Sequence, residues 1–156
     1  MELQREIVRV CAALNREKVK YIVVGGCAVI LHGYRRTTYD IDLLVDPSLE
    51  NIRRLKKVFR EVFQSDEASE IRDLDIEQYA VVRFVPESEE IVIDLIGKIG
   101  KVNFETAMKD IEEVELEGVK IPVCGLSTLI ETKKGVRPKD KEDSLFLLGK
   151  REYLKK

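Results

Sequence analysis

The sequence predicts an α/β (α+β) fold in which helices flank a mixed β-sheet. Short β-branched runs alternate with stretches of helical periodicity along the chain, and this alternation favours a layered structure with a mixed sheet. No internal repeat and no linker rich in Gly, Ser or Pro interrupts the pattern. Because 156 residues are the size of one ordinary domain, we expect a single domain spanning residues 1–156.

An amphipathic helix is predicted at the start of the chain, where apolar residues recur at steps of four, three and four and end near Lys18. These residues are Leu3, Ile7, Val10 and Leu14. A β-branched strand follows at residues 21–24 and is closed by two glycines. A short helix at residues 27–31 then ends at Gly33.

The middle of the chain predicts a strand, a helix and a hairpin. Residues 41–45 form the strand, and Pro47 begins a helix with apolar inward positions. These positions are Ile52, Leu55, Phe59 and Val62. We expect a loop at residues 64–75, followed by strands at 79–85 and 91–96 that are joined by a tight turn.

The last part of the chain predicts a second hairpin and two helices. Strands at residues 114–116 and 119–123 flank a Glu-Gly turn. Thr128, with a glutamate three residues later, has the pattern of a capping box and predicts the start of a helix. Residues 141–150 predict a final amphipathic helix.

Composition excludes several classes of protein. Hydrophobic residues make up 44% of the chain and charged residues 36%, as in a folded globular protein. Three cysteines without paired spacing and one histidine predict neither a zinc site, a disulfide framework nor Ser-His-Asp chemistry. No apolar stretch has the length of a membrane span and the start lacks the form of a signal peptide, so we expect a cytoplasmic protein without a membrane partner. The scarcity of Asn and Gln favours a thermophilic source.

Asp40 and Asp42 are the most informative pair. Residues two apart on a strand point to the same face, while Ile41 points to the other. Two carboxylates this close are unfavourable unless they share a cation, and oxygen ligands suit Mg²⁺ or Mn²⁺. The pair therefore predicts a site for a hard metal ion, with simple polarity at a strand edge as the alternative.

Asp94 is a third acid inside the apolar run at residues 91–96, where a buried charge needs a partner. If its strand lies beside that of Asp40 and Asp42, the three carboxylates complete a two-metal site of the kind that supports phosphoryl transfer. The alternative for Asp94 is a salt bridge to an arginine such as Arg83. The three acids together favour the metal site.

Gly25 and Gly26 end a strand and begin a helix, where free backbone N–H groups are suited to hold phosphate oxygens. A tight turn alone is the alternative. The spacing lacks the G-x-G-x-x-G fingerprint, which argues against dinucleotide binding. Arg36 and Thr38 lie four and two residues before Asp40. The guanidinium of Arg36 is suited either to bind a phosphate or to pair with one of the acids.

Together, these residues resemble the nucleotidyltransferase superfamily with a DNA polymerase β-like palm, in its minimal single-domain branch. The resemblance rests on G-G, H-G-Y-R and R-x-T-x-D-I-D-L-L-V within residues 21–46, and it resumes at Asp94. From Lys133 to Asp143 the pattern K…R-x-K-D-x-x-D resembles abortive-infection-type toxin nucleotidyltransferases. The superfamily's commoner Gly-Ser dipeptide is Gly-Gly here, so a serine contact to phosphate is missing.

The resemblance implies a palm-like sheet core and a catalytic site in which Asp40, Asp42 and Asp94 hold two Mg²⁺ or Mn²⁺ ions. It further implies that Asp94 helps to deprotonate an acceptor, whose oxygen attacks the α-phosphate of an NTP in line while pyrophosphate leaves. The predicted nucleotide-binding residues are Gly25, Gly26, Arg36, Thr38 and Lys133. Lys134 is the alternative to Lys133.

The sequence does not identify the acceptor. The candidates are a protein hydroxyl, an RNA end and a small molecule such as an aminoglycoside. The alternative function is a non-catalytic, antitoxin-like or regulatory nucleotide-binding subunit that acts through a protein partner. A weaker one is an RNA-binding module without catalysis. Because a lone palm-like domain leaves an open cleft, we expect a homodimer or a partner subunit to help hold the acceptor.

Overall fold

Helices and strands alternate along the chain in the computed structural model, which describes residues 2–78, 81–87, 89–133 and 138–155, without the side chains of 138 and 139. The described α-helices are α1 (Leu3–Arg16), α2 (Gly25–Leu31), α3 (Leu49–Phe63), α4 (Asp75–Gln78), α5 (Phe104–Ala107), α6 (Leu126–Thr132) and α7 (Pro138–Leu154). The strands are β1 (Tyr21–Val24), β2 (Asp40–Val45), β3 (Val81–Phe84), β4 (Val92–Ile96), β5 (Lys98–Ile99), β6 (Val102–Asn103), β7 (Ile111–Leu116) and β8 (Val119–Cys124).

The main sheet has six strands in the order β3-β4-β2-β1-β8-β7. Strand β2 runs parallel to β4 and antiparallel to β1, and β1 runs parallel to β8. The two outer pairs, β3 with β4 and β7 with β8, are antiparallel. The predicted mixed sheet is therefore confirmed, and β2 lies between two strands that also reach the candidate site.

One face of the sheet is covered by α1 and α3, which pack against each other. Phe59 of α3 stacks on Phe84 of β3 with a ring-centroid distance of 4.8 Å. Because neighbouring residues on a strand point to opposite faces, Phe84 and Arg83 lie on opposite sides of the sheet. Helix α3 is thus on the face opposite to Arg83. Three of its predicted inward positions, Ile52, Leu55 and Phe59, are fully buried, and the fourth, Val62, is partly buried.

Most predicted elements are confirmed with shifted ends. Helix α2 begins at Gly25, directly after β1, and α7 begins at Pro138 rather than at 141. The predicted loop at 64–75 contains a 3₁₀ turn at Glu67–Glu70, and α4 begins at its end. For the predicted strand at 79–85, the structure shows Val81–Phe84, and residues 79 and 80 lie outside the description.

The predicted capping box at Thr128 is wrong, because α6 begins two residues earlier, at Leu126. The backbone N–H and the hydroxyl of Thr128 both donate to Oδ2 of Asp110, at 3.0 and 2.9 Å. Asp110 lies in the turn after α5, and its carbonyl oxygen also accepts from the N–H of Gly125 at 2.8 Å. Asp110, a residue distant in sequence, therefore accepts hydrogen bonds from backbone N–H groups at the start of α6. The sequence pattern had assigned this role to a local cap.

In the part of the chain that the structure describes, no helix is both long and apolar enough to cross a membrane.

Candidate functional site

The three predicted acids meet on one face of the sheet. Asp42 of β2 is paired with Asp94 of β4 in the parallel ladder, and Asp40 precedes Asp42 on the same face. One carboxylate oxygen from each of the three residues lies within 4.8 Å of the others. The adjacency of β2 and β4, on which the predicted cluster depends, is thus present.

The carboxyl group of Asp42 has a raised pKa. Burial, followed by the charges of Asp94 and Asp40, raises the pKa of its carboxyl from 3.8 to about 7, although Lys133 opposes the rise. A buried carboxylate with carboxylate neighbours is stabilised in its ionised form when a cation lies among them. The cluster therefore favours a bound positive charge.

Arg83 provides part of that charge from the edge strand β3. Its Nε donates to Oδ1 of Asp94 at 2.8 Å, and its Nη2 donates to Oδ2 of Asp94 at 3.1 Å and to Oδ2 of Asp40 at 3.3 Å. The Arg83 side chain is nevertheless 60% exposed. The salt bridge considered as an alternative for Asp94 thus exists, and it coexists with the carboxylate cluster.

The glycine pair lies tightly against the acids. Gly25 has φ = +66°, a conformation that disfavours other residues, and a Cβ at this position would overlap the Asp42 carboxylate. A Cβ on Gly26 would lie 2.5 Å from Nη1 of Arg36 and 3.2 Å from Oγ1 of Thr38. The two glycines therefore separate Asp42 on one side from Arg36 and Thr38 on the other.

Arg36 and Lys133 are held by acids of α7. Oδ2 of Asp143 lies 3.2 Å from Nη1 of Arg36 and 3.0 Å from Nζ of Lys133, whose Nζ is also 3.6 Å from Oδ1 of Asp140. Asp143 is fully buried, and its Oδ1 has no hydrogen-bond partner among the described residues. The ion-pair partner of Arg36 is therefore a distal acid and not one of the strand acids. Lys134 lies outside the described residues.

A cavity of about 370 Å³ lies beside the acids, within the usual size range for small-molecule sites. Gly25 and Asp42 line it together with Lys133, and the β5–β6 segment forms a further wall. Arg36 and Thr38 instead line a separate, mainly apolar pocket between α1, α2 and β7. Of the predicted nucleotide-binding residues, Gly25 and Lys133 thus share one cavity with Asp42.

The sequence matches over residues 1–143 the protein family described as "Nucleotidyltransferase of unknown function" (DUF6036). The chain belongs to this nucleotidyltransferase family. The family match confirms the predicted nucleotidyltransferase membership. No curated protein matches the sequence.

Two solved structures resemble this nucleotidyltransferase in fold. One is TM1012 of Thermotoga maritima, assigned as a nucleotidyltransferase, with 20% identity, a TM-score of 0.63, and coverage of 99% of this chain and 93% of that chain. The other is ANT(2″)-Ia in complex with adenylyl-2″-tobramycin, with 13% identity, a TM-score of 0.61, and coverage of 96% and 90%. At these identities the comparison confirms the fold class.

The acids of this nucleotidyltransferase fit a hard divalent cation. The cluster offers oxygen donors only, from Asp40, Asp42 and Asp94, and Mg²⁺ and Mn²⁺ prefer such donors. Burial and the neighbouring charges of Asp94 and Asp40 both raise the pKa of Asp42. The donor set and the closeness of the three carboxylates are both suited to a bound cation.

His32 and Cys27 both form hydrogen bonds to backbone carbonyl groups. His32 is buried, and its Nε2 donates to the Cys124 carbonyl oxygen at 2.8 Å, which ties the end of α2 to β8. The thiol of Cys27 donates to the Asp40 carbonyl oxygen at 3.0 Å. Burial raises the pKa of Cys27 well above its usual range, so the thiol stays protonated and is a poor nucleophile.

The sequence patterns assigned no role at this site to Asp140, Asp143 or Lys98. The distal D-x-x-D pattern contains Asp140 and Asp143, and two buried acids three residues apart on a helix were a signal for partners of nearby cations. Arg83 was considered only as a salt-bridge partner. Lys98 carried no signal, because two-residue strands have no hydrophobic period.

Proposed function

We propose that this chain transfers an NMP group from an NTP to an acceptor hydroxyl and releases pyrophosphate. The observation that carries the proposal is the convergence of Asp40, Asp42 and Asp94 beside a cavity that also contains Gly25 and Lys133. A cluster of oxygen donors next to a cavity that has two lysines in its lining is suited to a phosphorylated substrate together with divalent cations. Retention of all three acids argues against the non-catalytic alternative.

Asp40, Asp42 and Asp94 would hold two Mg²⁺ or Mn²⁺ ions. Bound ions of this kind supply positive charge that stabilises the phosphates and favours ionisation of the acceptor hydroxyl. Asp94 accepts the proton of that hydroxyl, and Arg83 keeps the Asp94 carboxylate in one orientation through its two hydrogen bonds. A bond then forms between the acceptor oxygen and the α-phosphorus, and the bond to the β-phosphate oxygen breaks.

The nucleotide phosphates bind at the backbone N–H groups where α2 begins. At Gly25 and Gly26 the absence of a Cβ lets the Asp42 carboxylate and the Arg36 guanidinium lie directly against this backbone, so phosphates held there are close to both groups. Lys133 faces the same cavity as Asp42 and attracts the phosphates from the other wall. Arg36 and Thr38 act from behind Gly26, where their polar atoms lie close to the glycine backbone.

The acceptor approaches from the side of β3 and β4. Across the sheet, the order is β3, β4, β2 and β1, so Asp94 lies between Arg83 and the glycine pair. The glycine side is assigned to the nucleotide, which leaves the exposed side at Arg83 for the acceptor. ANT(2″)-Ia was solved with a nucleotidylated aminoglycoside, and a protein hydroxyl or an RNA end remains a candidate beside a small molecule. A second copy or a partner subunit would help to hold the acceptor.

The test is label transfer from each α-³²P-labelled NTP, with Mg²⁺ or Mn²⁺ and a cell extract as the source of acceptors. Asp42→Asn should lower the turnover by several orders of magnitude while the circular dichroism spectrum stays native. The control is Asp73→Asn, because Asp73 pairs with Arg53 and Lys56, away from the three acids. Equal turnover in the parent and Asp42→Asn would show that the site is wrong.

A further inference from the structure

The β5–β6 segment forms a wall of the cavity that contains Asp42 and Lys133. We call residues 97–103 the ribbon. Strand β5 follows β4 after a single residue, Gly97, so the ribbon continues directly from the strand that carries Asp94. Lys98 and Ile99 of the ribbon line the cavity. The ribbon is therefore placed to contact whatever fills the cavity beside Asp42.

The position of the ribbon is fixed at both ends. At its start, a Cβ on Gly97 would lie 2.6 Å from the carbonyl oxygen of Ile76, so the backbone packs directly on α4. At its end, Asn103 caps α5, since its side chain accepts from the N–H of Thr106 at 2.9 Å and its own N–H donates to the Thr106 hydroxyl at 3.0 Å. Lys98 is paired with Asn103 in the antiparallel register, and its backbone is thereby held in place.

The lysine and arginine side chains at the site differ in how many carboxylates lie close to them. Lys133 lies near two carboxylates, those of Asp140 and Asp143, and Arg36 shares Asp143. By contrast, no carboxylate of residues 2–78, 81–87, 89–133 or 138–155 forms an ion pair with Lys98, which is exposed at the cavity wall. A triphosphate carries several negative charges, and an uncompensated ammonium attracts it more than one already paired with acids.

We propose that Lys98 is a further phosphate-binding residue, whose ammonium contacts the nucleotide phosphates from the ribbon wall while Lys133 contacts them from the α6 side. This inference rests on the proposed function, because it assumes that the cavity holds the phosphates of an NTP. It assigns to the ribbon a role in nucleotide affinity that neither the D-x-D pair nor the glycine pair supplies.

The test uses inorganic tripolyphosphate with Mg²⁺, a probe that does not depend on which base the protein prefers. Binding is measured by isothermal titration calorimetry for the parent, Lys98→Ala, Lys98→Arg and Lys101→Ala. Lys101 is an exposed lysine of the same ribbon that does not line the cavity, so its removal controls for the loss of one charge. Melting temperatures confirm that each variant is folded.

We expect Lys98→Ala to weaken tripolyphosphate binding by about tenfold or more, as for the loss of a charge-assisted hydrogen bond. Lys98→Arg should restore most of the affinity, and Lys101→Ala should change it by about twofold at most. In label transfer, the KM for the NTP should rise in Lys98→Ala.

Equal affinity in the parent and Lys98→Ala would overturn the inference, as would equal losses in Lys98→Ala and Lys101→Ala. The inference also fails if the parent transfers label but does not bind tripolyphosphate. These outcomes leave the proposed function intact. If the parent neither binds tripolyphosphate nor transfers label from any NTP, the proposed function itself is wrong.

Discussion

Arg83 lies directly opposite Asp94 in the β3–β4 ladder, and its guanidinium donates to both oxygens of the Asp94 carboxylate, at 2.8 and 3.1 Å. A third hydrogen bond of 3.3 Å joins it to Asp40. Arg83 is therefore an internal counter-ion for two of the three acids. A divalent ion at the same carboxylates has to share them with this guanidinium or displace it.

The first prediction concerns Arg83→Gln. In chelator at pH 8, the melting temperature should fall below that of the parent, because Asp40 and Asp94 lose the guanidinium to which they are hydrogen-bonded. Addition of Mg²⁺ should raise the melting temperature more in the variant than in the parent, since ions no longer compete with the guanidinium. Differential scanning fluorimetry with a Mg²⁺ titration measures both effects.

Arg72→Gln is the matched control for Arg83→Gln. Arg72 is also exposed, and its partner is Asp75 rather than one of the three acids. The control should match the parent in chelator and in Mg²⁺. If Arg83→Gln behaves like Arg72→Gln in both conditions, Arg83 is not a counter-ion of the cluster.

The second prediction is a pH dependence set by Asp42. Its pKa in the folded protein is raised from 3.8 to about 7, so between these pH values the folded state binds more protons than the unfolded state. By linkage, the free energy of unfolding then falls as pH rises through this window, by about 1.4 kcal/mol for each unit of pKa difference. Above about pH 7 the loss is complete.

Asp42→Asn removes that loss, since the amide does not ionise. In chelator, the melting temperature of Asp42→Asn minus that of the parent should increase from pH 4 to pH 7 and then level off. With saturating Mg²⁺ the difference should reverse at pH 8, because the parent alone keeps the full set of carboxylate ligands. If the difference between the two melting temperatures did not change with pH in chelator, the raised pKa of Asp42 would be contradicted.

The third prediction compares two glycines with positive φ. Gly25→Ala and Gly118→Ala each place a Cβ where φ is positive, +66° and +80°, at a cost of about 1–2 kcal/mol in stability. At Gly118 nothing lies within 4 Å of the added Cβ, whereas at Gly25 it overlaps the Asp42 carboxylate. Gly25→Ala should therefore also abolish label transfer and weaken Mn²⁺ binding, and Gly118→Ala should leave both unchanged. Equal activity of the two variants would show that Gly25 does not shape the site.

The fourth prediction concerns Asp143, whose carboxylate joins Arg36 and Lys133. Asp143→Asn removes the charge that compensates two largely buried cations, and it should lower the free energy of unfolding by about 3–5 kcal/mol. Urea denaturation measures this loss. Glu50→Gln, which breaks an exposed pair with Arg54, should cost about 0–1 kcal/mol.

A double variant separates an ion pair from simple packing at Asp143. Asp143→Asn combined with Lys133→Met should lose less stability than the sum of the two single variants, because neither partner then leaves the other uncompensated. Additive losses would mean that the contact between Asp143 and Lys133 contributes little.

Local patterns in the sequence predicted the parts of this site that local structure determines. The two acids of β2 share a face because a strand alternates, and the glycine pair ends β1 because a β-branched run precedes it. Asp94 was recognised because a charge inside an apolar run is costly. In each case the sequence pattern and the structural feature that it predicts involve the same few residues, which are neighbours in the chain.

The remaining features depend on contacts between distant parts of the chain. Nothing beside Arg36 in the sequence specifies Asp143 as its partner, because α7 brings that acid from the other end of the protein. Thr128 had the local pattern of a helix cap, yet Asp110 supplies the acceptor. The ribbon at residues 97–103 was missed because its strands are too short to show a period.

The parallel pairing of β2 with β4 also determines when the site forms during folding. Asp42 and Asp94 are neighbours only after the chain has returned through α3 and the segments that follow it, since a parallel pair requires a crossover connection. Such non-local pairings form slowly compared with helices and hairpins. A fragment that ends before β4 therefore contains the D-x-D pair and the glycines but lacks the third carboxylate. We therefore expect the site and the centre of the sheet to be assembled in the same folding step.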